Sequence, residues 1–492
     1  MTDNRTNATA AYLNDHKIKE AIQETLITLL NECPEDAFGY LYRLFRDKAA
    51  PPRISRLVGR EVLDSRGNPT VEVDVYSTFL GEEILAGRSS APSGASTGSN
   101  EARELRDKES PRYGGKGTQT AAKNVTEVLS KALHDMEFNS LSNLDDTICA
   151  TDGTELKEKI GGNACTATSF ALAESAANLQ ELQLFEYLAK QFEEHGHEQK
   201  TKYRLPTPFL NILNGGKHAG GKLKIQEFMI SPNENIPFPD QLRMASEVYH
   251  ALGKILSEEH GPSARNLGDE GGFAPPLNTP EEAISVIERA IQAANYEPGK
   301  DIRIALDAAA SEFYDSETKL YEIESGVHKT GEEMIEYWKD LIEKHPAIIS
   351  IEDGLEEKDY DNWTKLNSEL GDKIMLVGDD LYTTNPNTIR KGIEGKWCNA
   401  LLLKVNQIGT ITEAMKAASL VLKEGQRVMV SHRSGETCNS VIADLAVAIG
   451  AQAIKTGSTA RGERIQKYTR LLQIYEYLKE HDMLEENEKP AE

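Results

Sequence analysis

Six short apolar runs in the second half of this 492-residue chain each lead into a residue able to do chemistry. Residues 302–306 run into Asp307, 347–351 into Glu352 and 374–378 into Asp379; then 400–403 run into Lys404, 427–431 into His432 and 452–454 into Lys455. The three carboxylates form an all-oxygen set without a His or Cys ligand, and such a set selects a hard cation such as magnesium over zinc. Any one of these acids alone reads as a helix cap or half of an ion pair. Three together are different, because like charges sharing a site cannot all stay ionised without a cation.

The spacing says which elements must position them. Successive reactive residues are 23 to 45 positions apart, and helical patterns lie between the runs, as at 412–422 between Lys404 and His432, and ahead of the first run at 281–294. That interval is the length of a strand, a helix and two loops, so the series reads as βα units. Buried parallel strands are continuous apolar runs, and in a closed barrel the reactive groups sit at the C-terminal strand ends. A doubly wound open sheet is the rival. Six strands offering chemistry at one end suit a closed ring better, so the expected fold is an α/β barrel over residues 201–484, followed by a polar tail at 485–492. Upstream, residues 53–200 read as an α+β unit. Residues 70–76 alternate apolar and polar as a half-buried strand does, 84–86 begin a second strand, 87–98 are a Gly- and Ser-rich loop, and helices fill 119–189.

Composition excludes several functions. With 55 Lys and Arg against 79 Asp and Glu, the formal charge of −24 repels nucleic acid. No uncharged apolar run approaches the roughly 18 residues that span a bilayer, and the polar start is no secretory signal. Five cysteines without CxxC spacing read as reduced, buried thiols of a cytoplasmic protein. Gly216, Gly221 and Lys222 nearly meet the spacing of a nucleotide-binding loop, but Leu223 stands where a hydroxyl must reach magnesium, so no ATP site is expected there.

The first 50 residues behave differently. Ile18, Ile22, Leu26, Leu29 and Leu30 mark one stripe of a helix that stops at Pro34, and Phe38, Leu41, Leu44 and Phe45 mark a second. A pair of this size cannot bury its own faces, so either the rest of the chain or a partner covers it. Residues 49–52, with paired prolines, are a linker.

Long motifs then point to a family. SGASTG (93–98), QEFM (226–229), GDEGG (268–272), LLLKVNQIG (401–409), SHRSGET (431–437) and IKTG (454–457) resemble the enolases over about 430 residues, from Arg53 to Asp482. The resemblance implies a barrel with an unusual opening pair of strands, a smaller α+β capping domain before it, and reversible dehydration of 2-phosphoglycerate to phosphoenolpyruvate. It implies two magnesium ions, one held by Asp307, Glu352 and Asp379 and the other by Ser96. Lys404 becomes the general base, which needs a depressed pKa, and Glu270 the general acid with Glu227 beside it. His432, His218 and Gln226 line the substrate, Lys455 grips its carboxylate, and Arg433 with Ser434 binds its phosphate. It also implies a homodimer. A sugar-acid dehydratase of the same superfamily, or a structural protein retaining the barrel, are the alternatives; Arg433 and Ser434 speak against the first, and the complete reactive set against the second.

Residues 11–48, with Tyr12, Leu13, His16, the Ile/Leu stripe and Cys33-Pro34-Glu35-Asp36, resemble the dimerisation-and-docking helices of kinase regulatory subunits and of cilium-associated adaptors. That resemblance implies two copies forming a four-helix unit that receives an amphipathic helix, and a place at a cilium or flagellum axoneme.

Overall fold

The computed structural model describes residues 2–95, 98, 100–219 and 221–485. Ser96 and tail residues 486–492 lie outside the described residues, and so does the side chain of His218.

Strands β1 (Arg53–Leu63), β2 (Pro69–Phe79) and β3 (Glu82–Ser90) form an antiparallel sheet covered by helices between residues 119 and 193. The loop expected from residue 87 begins only after Ser90, because Gly87, Arg88, Ser89 and Ser90 pair with Val75, Asp74, Val73 and Glu72. Ladder pairing overrides their loop-like composition.

Strands β4 (Thr207–Asn214), β5 (Glu227–Pro232) and β6 (Ile302–Asp307) open the barrel. A small separate sheet follows, of β7 (Tyr314–Asp315), β8 (Leu320–Glu324) and β9 (Val327–Lys329). The ring closes with β10 (Ile348–Glu352), β11 (Met375–Gly378), β12 (Ala400–Leu403), β13 (Arg427–Ser431) and β14 (Ala453–Lys455), in the order β10-β11-β12-β13-β14-β4-β5-β6. All pairings are parallel except those of β5, which runs antiparallel to both neighbours.

Residues alternate in and out along each strand. The inward set Phe209, Met229, Ala305, Met375, Val377, Ala400, Leu402, Met429 and Ala453 packs as its own buried cluster and plugs the barrel. Two residues further towards the parallel strands' C-terminal ends, the same inward faces carry Asp307, Asp379, Lys404 and Lys455; on reversed β5 the equivalent is Glu227. The apolar plug therefore forms the floor beneath the reactive groups. Helices Pro280–Ala293 and Ile411–Lys423 clamp the outside, each begun by a threonine, Thr279 or Thr410, whose hydroxyl accepts an N–H of the first turn.

Before the sheet come α1 (Thr2–Asp15), α2 (Ile18–Glu32) and α3 (Ala37–Arg46). Cys33 ends α2 in the left-handed conformation, and Asp36 caps α3 by accepting the Gly39 N–H at 2.9 Å. Helix α1 has no apolar stripe, which is why the sequence did not announce it. The stripe expected on α2 and α3 is only half covered: Ile22, Leu26, Leu30, Phe38 and Phe45 are exposed, Phe38 by 85%, as is Tyr42 beside them. Arg46 of α3 forms an ion pair with Glu181 of the body. Among the described residues, no helix is long and apolar enough to cross a membrane. All five thiols are free, but Cys33 and Cys438 are exposed, contrary to the expectation of buried cysteines; Cys33 lies in the turn closing α2 and Cys438 in the loop after β13.

Candidate active site

The strand ends bring Asp307, Glu352, Asp379, Lys404, His432 and Lys455 to one mouth of the barrel. Lys455, 2% exposed, stands between its two halves. Its ammonium lies 3.0 Å from Asp307 Oδ2, 2.9 Å from both Glu352 oxygens and 3.4 Å from Glu227. Burial disfavours its charge, but the carboxylates outweigh burial and hold its pKa well above the usual lysine value. Glu352 is pushed well up by burial and by the charge of Asp307. Buried, mutually repelling carboxylates of this kind are the donor chemistry a hard divalent cation needs.

Lys404 ion-pairs with Asp379. Burial, Arg433 and Lys455 all push its pKa down, but the contacting Asp379 prevails, so the depression expected for a base gives way here to a net rise. Asp379 also accepts the Gln407 amide at 2.8 Å. Behind it, Asp353 accepts the backbone N–H groups of Asp379 at 2.9 Å and Asp380 at 2.8 Å, which fixes the turn after β11. The sequence reasoning passed over Asp353 and Asp380, although Asp353, Asp379 and Asp380 bring carboxylate oxygens within 4.8 Å of one another. Doubled acids at two strand ends were the available signal.

Across the ring stands the second half. Glu227 ends up four strands from Lys404 in a ring of eight, hence diametrically opposite. Its carboxyl is pushed well up, first by burial and then by the charge of Glu270. Glu270 accepts the Asn211 amide at 3.0 Å and lies 3.3 Å from His432 Nε2. Gly271 makes this placement possible: at φ +88 a Cβ would come within 2.6 Å of the Ala460 carbonyl, so the turn excludes side chains. Burial pushes His432 down to about 4, which keeps its imidazole neutral.

Arg433 is directed at Glu101, forming a two-pronged pair at 2.9 and 3.4 Å, and Asn406 Oδ1 accepts from it at 3.1 Å. Glu101 also accepts the N–H of Gly98, so the guanidinium expected to hold a phosphate is tied to the SGASTG loop. Ser93 and Gly435 exchange backbone bonds at 2.7 and 2.9 Å and join that loop to the strand-end loop after β13. Gln226 and Ser434 both line the cavity, and the short helix Gly216–Ala219 carries His218. Glu101, Asn211, Gln407 and the buried Arg464 were missed, since each is an ordinary polar residue until the chain closes.

Comparison with known proteins agrees with this construction. The family model "Enolase, N-terminal domain" matches residues 54–188, and "Enolase, C-terminal TIM barrel domain" matches residues 202–490. The enolase of Methanopyrus kandleri is 49% identical over 427 residues, covering 87% of this chain and 96% of its own. That of Pyrococcus furiosus is 47% identical over 428 residues, 87% of this chain and 96% of the relative. That of Methanococcoides burtonii is 48% identical over 425 residues, 86% and 95%. A barrel with one reversed strand, a capping sheet, and matches along both lead to one conclusion: the chain belongs to the enolase family.

Proposed function

We propose that the barrel mouth performs the family's reaction, the reversible loss of water from 2-phospho-D-glycerate to give phosphoenolpyruvate, with Lys404 and Glu270 as its base and acid. The observation that carries this assignment is their arrangement: an amine at the end of β12 faces a carboxyl pair four strands away, with a buried cationic Lys455 between the two halves. A base and an acid on opposite faces of a substrate suit an anti elimination, and each contributes on the order of 10²- to 10⁴-fold. Asp379 holds the Lys404 charge, so this lysine must first be freed from that carboxylate and deprotonated; its Nζ then takes the proton from the carbon beside the substrate carboxylate. Glu270 delivers a proton to the departing hydroxyl, with Glu227 beside it in the same buried carboxyl pair. Neutral His432 orients Glu270 through Nε2. Lys455 binds the carboxylate, Arg433 and Ser434 the phosphate, while Gln226 and His218 enclose the substrate and exclude water.

The family's reaction uses a divalent cation. We take it to be magnesium, two ions per site, held by Asp307, Glu352 and Asp379 and by Ser96. Bound there, it supplies positive charge to stabilise the carbanion-like charge that develops beside an existing carboxylate. The test is turnover: absorbance of the new enol double bond should rise when folded protein meets 2-phosphoglycerate and magnesium. A flat trace at saturating magnesium would sink the proposal.

A second role belongs to α2 and α3, which precede the residues matched by the family models. Their exposed stripe supports association of two copies and docking of an amphipathic helix, alongside a homodimer of the enzyme body. Deleting residues 1–50 should leave turnover nearly unchanged and abolish binding of amphipathic helical peptides; a large loss of turnover would mean that these helices serve the enzyme instead.

A further inference from the structure

The alternation that aims Asp307 and Ser431 at the catalytic mouth aims the residues four positions earlier, Arg303 and Arg427, at the opposite mouth. On reversed β5 the same rule sends Ser231 there, four residues after Glu227. These three, with Arg204 and Lys373, line a recess of about 470 Å³ whose floor is the apolar plug at Phe209, Met375 and Ala453. Four cations face one acid, Glu234, and that acid is bonded to Arg303. Among the described residues, Arg204, Lys373 and Arg427 have no ion-pair partner. In a chain of net charge −24 such a local excess of positive charge runs against the whole.

Two buried donors make the recess more than a rim of surface charge. Ser231 is wholly buried, yet its hydroxyl has no hydrogen-bond partner, and the same holds for the buried Nε of Arg303. Buried polar groups are normally satisfied, and a group left without a partner calls for a ligand or water. The catalytic groups lie beyond the apolar plug, so neither donor can serve the reaction at the other mouth. Barrel residues at this end ordinarily read as stability residues, but four cations around a single acid, with two stranded donors, leave an excess of positive charge that stabilises nothing by itself.

We propose that this distal mouth is a binding site for a small phosphorylated anion, its phosphate received by Ser231 and Arg303 and neutralised by Arg204, Lys373 and Arg427, with any apolar part resting on Phe209 and Met375. Phosphate oxygens accept from a hydroxyl and from guanidinium edges together, and a guanidinium matches them geometrically. The site is independent of the catalytic assignment and can fail or stand without it.

Isothermal calorimetry with inorganic pyrophosphate, in chelator and low salt to keep divalent cations out, tests it. The expected result is saturable binding that weakens about tenfold or more in Arg204→Ala/Arg427→Ala, the loss of two charge-assisted contacts, and that persists in Arg433→Ala. Both substituted side chains are exposed, so the double variant should fold and keep full turnover. Absence of saturable binding overturns the proposal; so does binding that survives the double variant, or that disappears in Arg433→Ala and thereby belongs to the catalytic mouth.

Discussion

Arg464 offers the sharpest perturbation. It is wholly buried, and one guanidinium spans both sides of the acid half of the site. Nη1 lies 2.6 Å from His432 Nδ1 and 2.6 Å from the Arg433 carbonyl, while Nη2 donates to the Ser434 carbonyl at 2.6 Å and the Asp269 carbonyl at 3.1 Å. Arg464→Met keeps most of the volume and strands three carbonyls and an imidazole nitrogen. Breaking one partner out of a buried charged network costs about 3–5 kcal/mol, after water and relaxation repair part of the loss. Stability is the smaller consequence. The residues released are the cavity-lining loop 432–434, to which the substrate contacts are assigned, and the peptide preceding Glu270; a displacement of about 1 Å costs on the order of 10²-fold in rate. We expect kcat to fall about 100-fold with a lesser change in KM, and chemical denaturation to shift to lower denaturant. His432 should protonate more readily, since Arg464 also opposes its charge. Arg464→Lys, which keeps the charge with fewer donors, should fall between. Wild-type turnover in folded Arg464→Met, within about threefold, would refute the claim that this guanidinium holds the site.

Other consequences follow from the same geometry. The His432 imidazole has a folded pKa of about 4 against 6.5 when free. Its contribution to stability is therefore complete above pH 6.5 and is lost as pH falls towards 4; melting curves across that window should fall less steeply for His432→Gln, and parallel curves would contradict the burial argument. Chelating divalent cations should abolish turnover, and magnesium should restore it; full activity in chelator would remove the carboxylates' assigned role. Replacing Leu26 and Leu30, 46% and 72% exposed, by Asp should reduce the assembly size measured by light scattering and leave kcat alone. An unchanged size would show that the stripe joins no copies.

The strand ends could be read from the sequence because a parallel barrel strand is buried on both faces, so a run such as Ala400-Leu401-Leu402-Leu403 ends visibly at Lys404. The reversal of β5 could not be read, since Glu227 begins a strand that looks like any other buried one; it entered only through family resemblance. Residues that complete the site from far away were illegible for a different reason. Glu101 meets Arg433 across 332 positions, and Arg464 meets Asp269 across 195. No local pattern encodes such a pair; it exists only once the capping sheet is docked and the last helix, Gly462–Glu480, lies against the barrel. Ser89 and Ser90 show the reverse failure: their composition said loop and their ladder partners made them strand. The protonation of Lys404 depends on which charge touches it, a fact of contact and not of sequence.

The central claim, that one lysine removes a proton and an opposite carboxyl separately donates one, has a direct test in the exchange of the substrate's C2 hydrogen with deuterated water, followed by magnetic resonance alongside phosphoenolpyruvate formation. Glu270→Gln should keep the exchange while losing dehydration by about 10²- to 10⁴-fold, and Lys404→Ala should lose both. Exchange surviving in Lys404→Ala, or vanishing in Glu270→Gln with its fold intact, would contradict the assignment of base and acid.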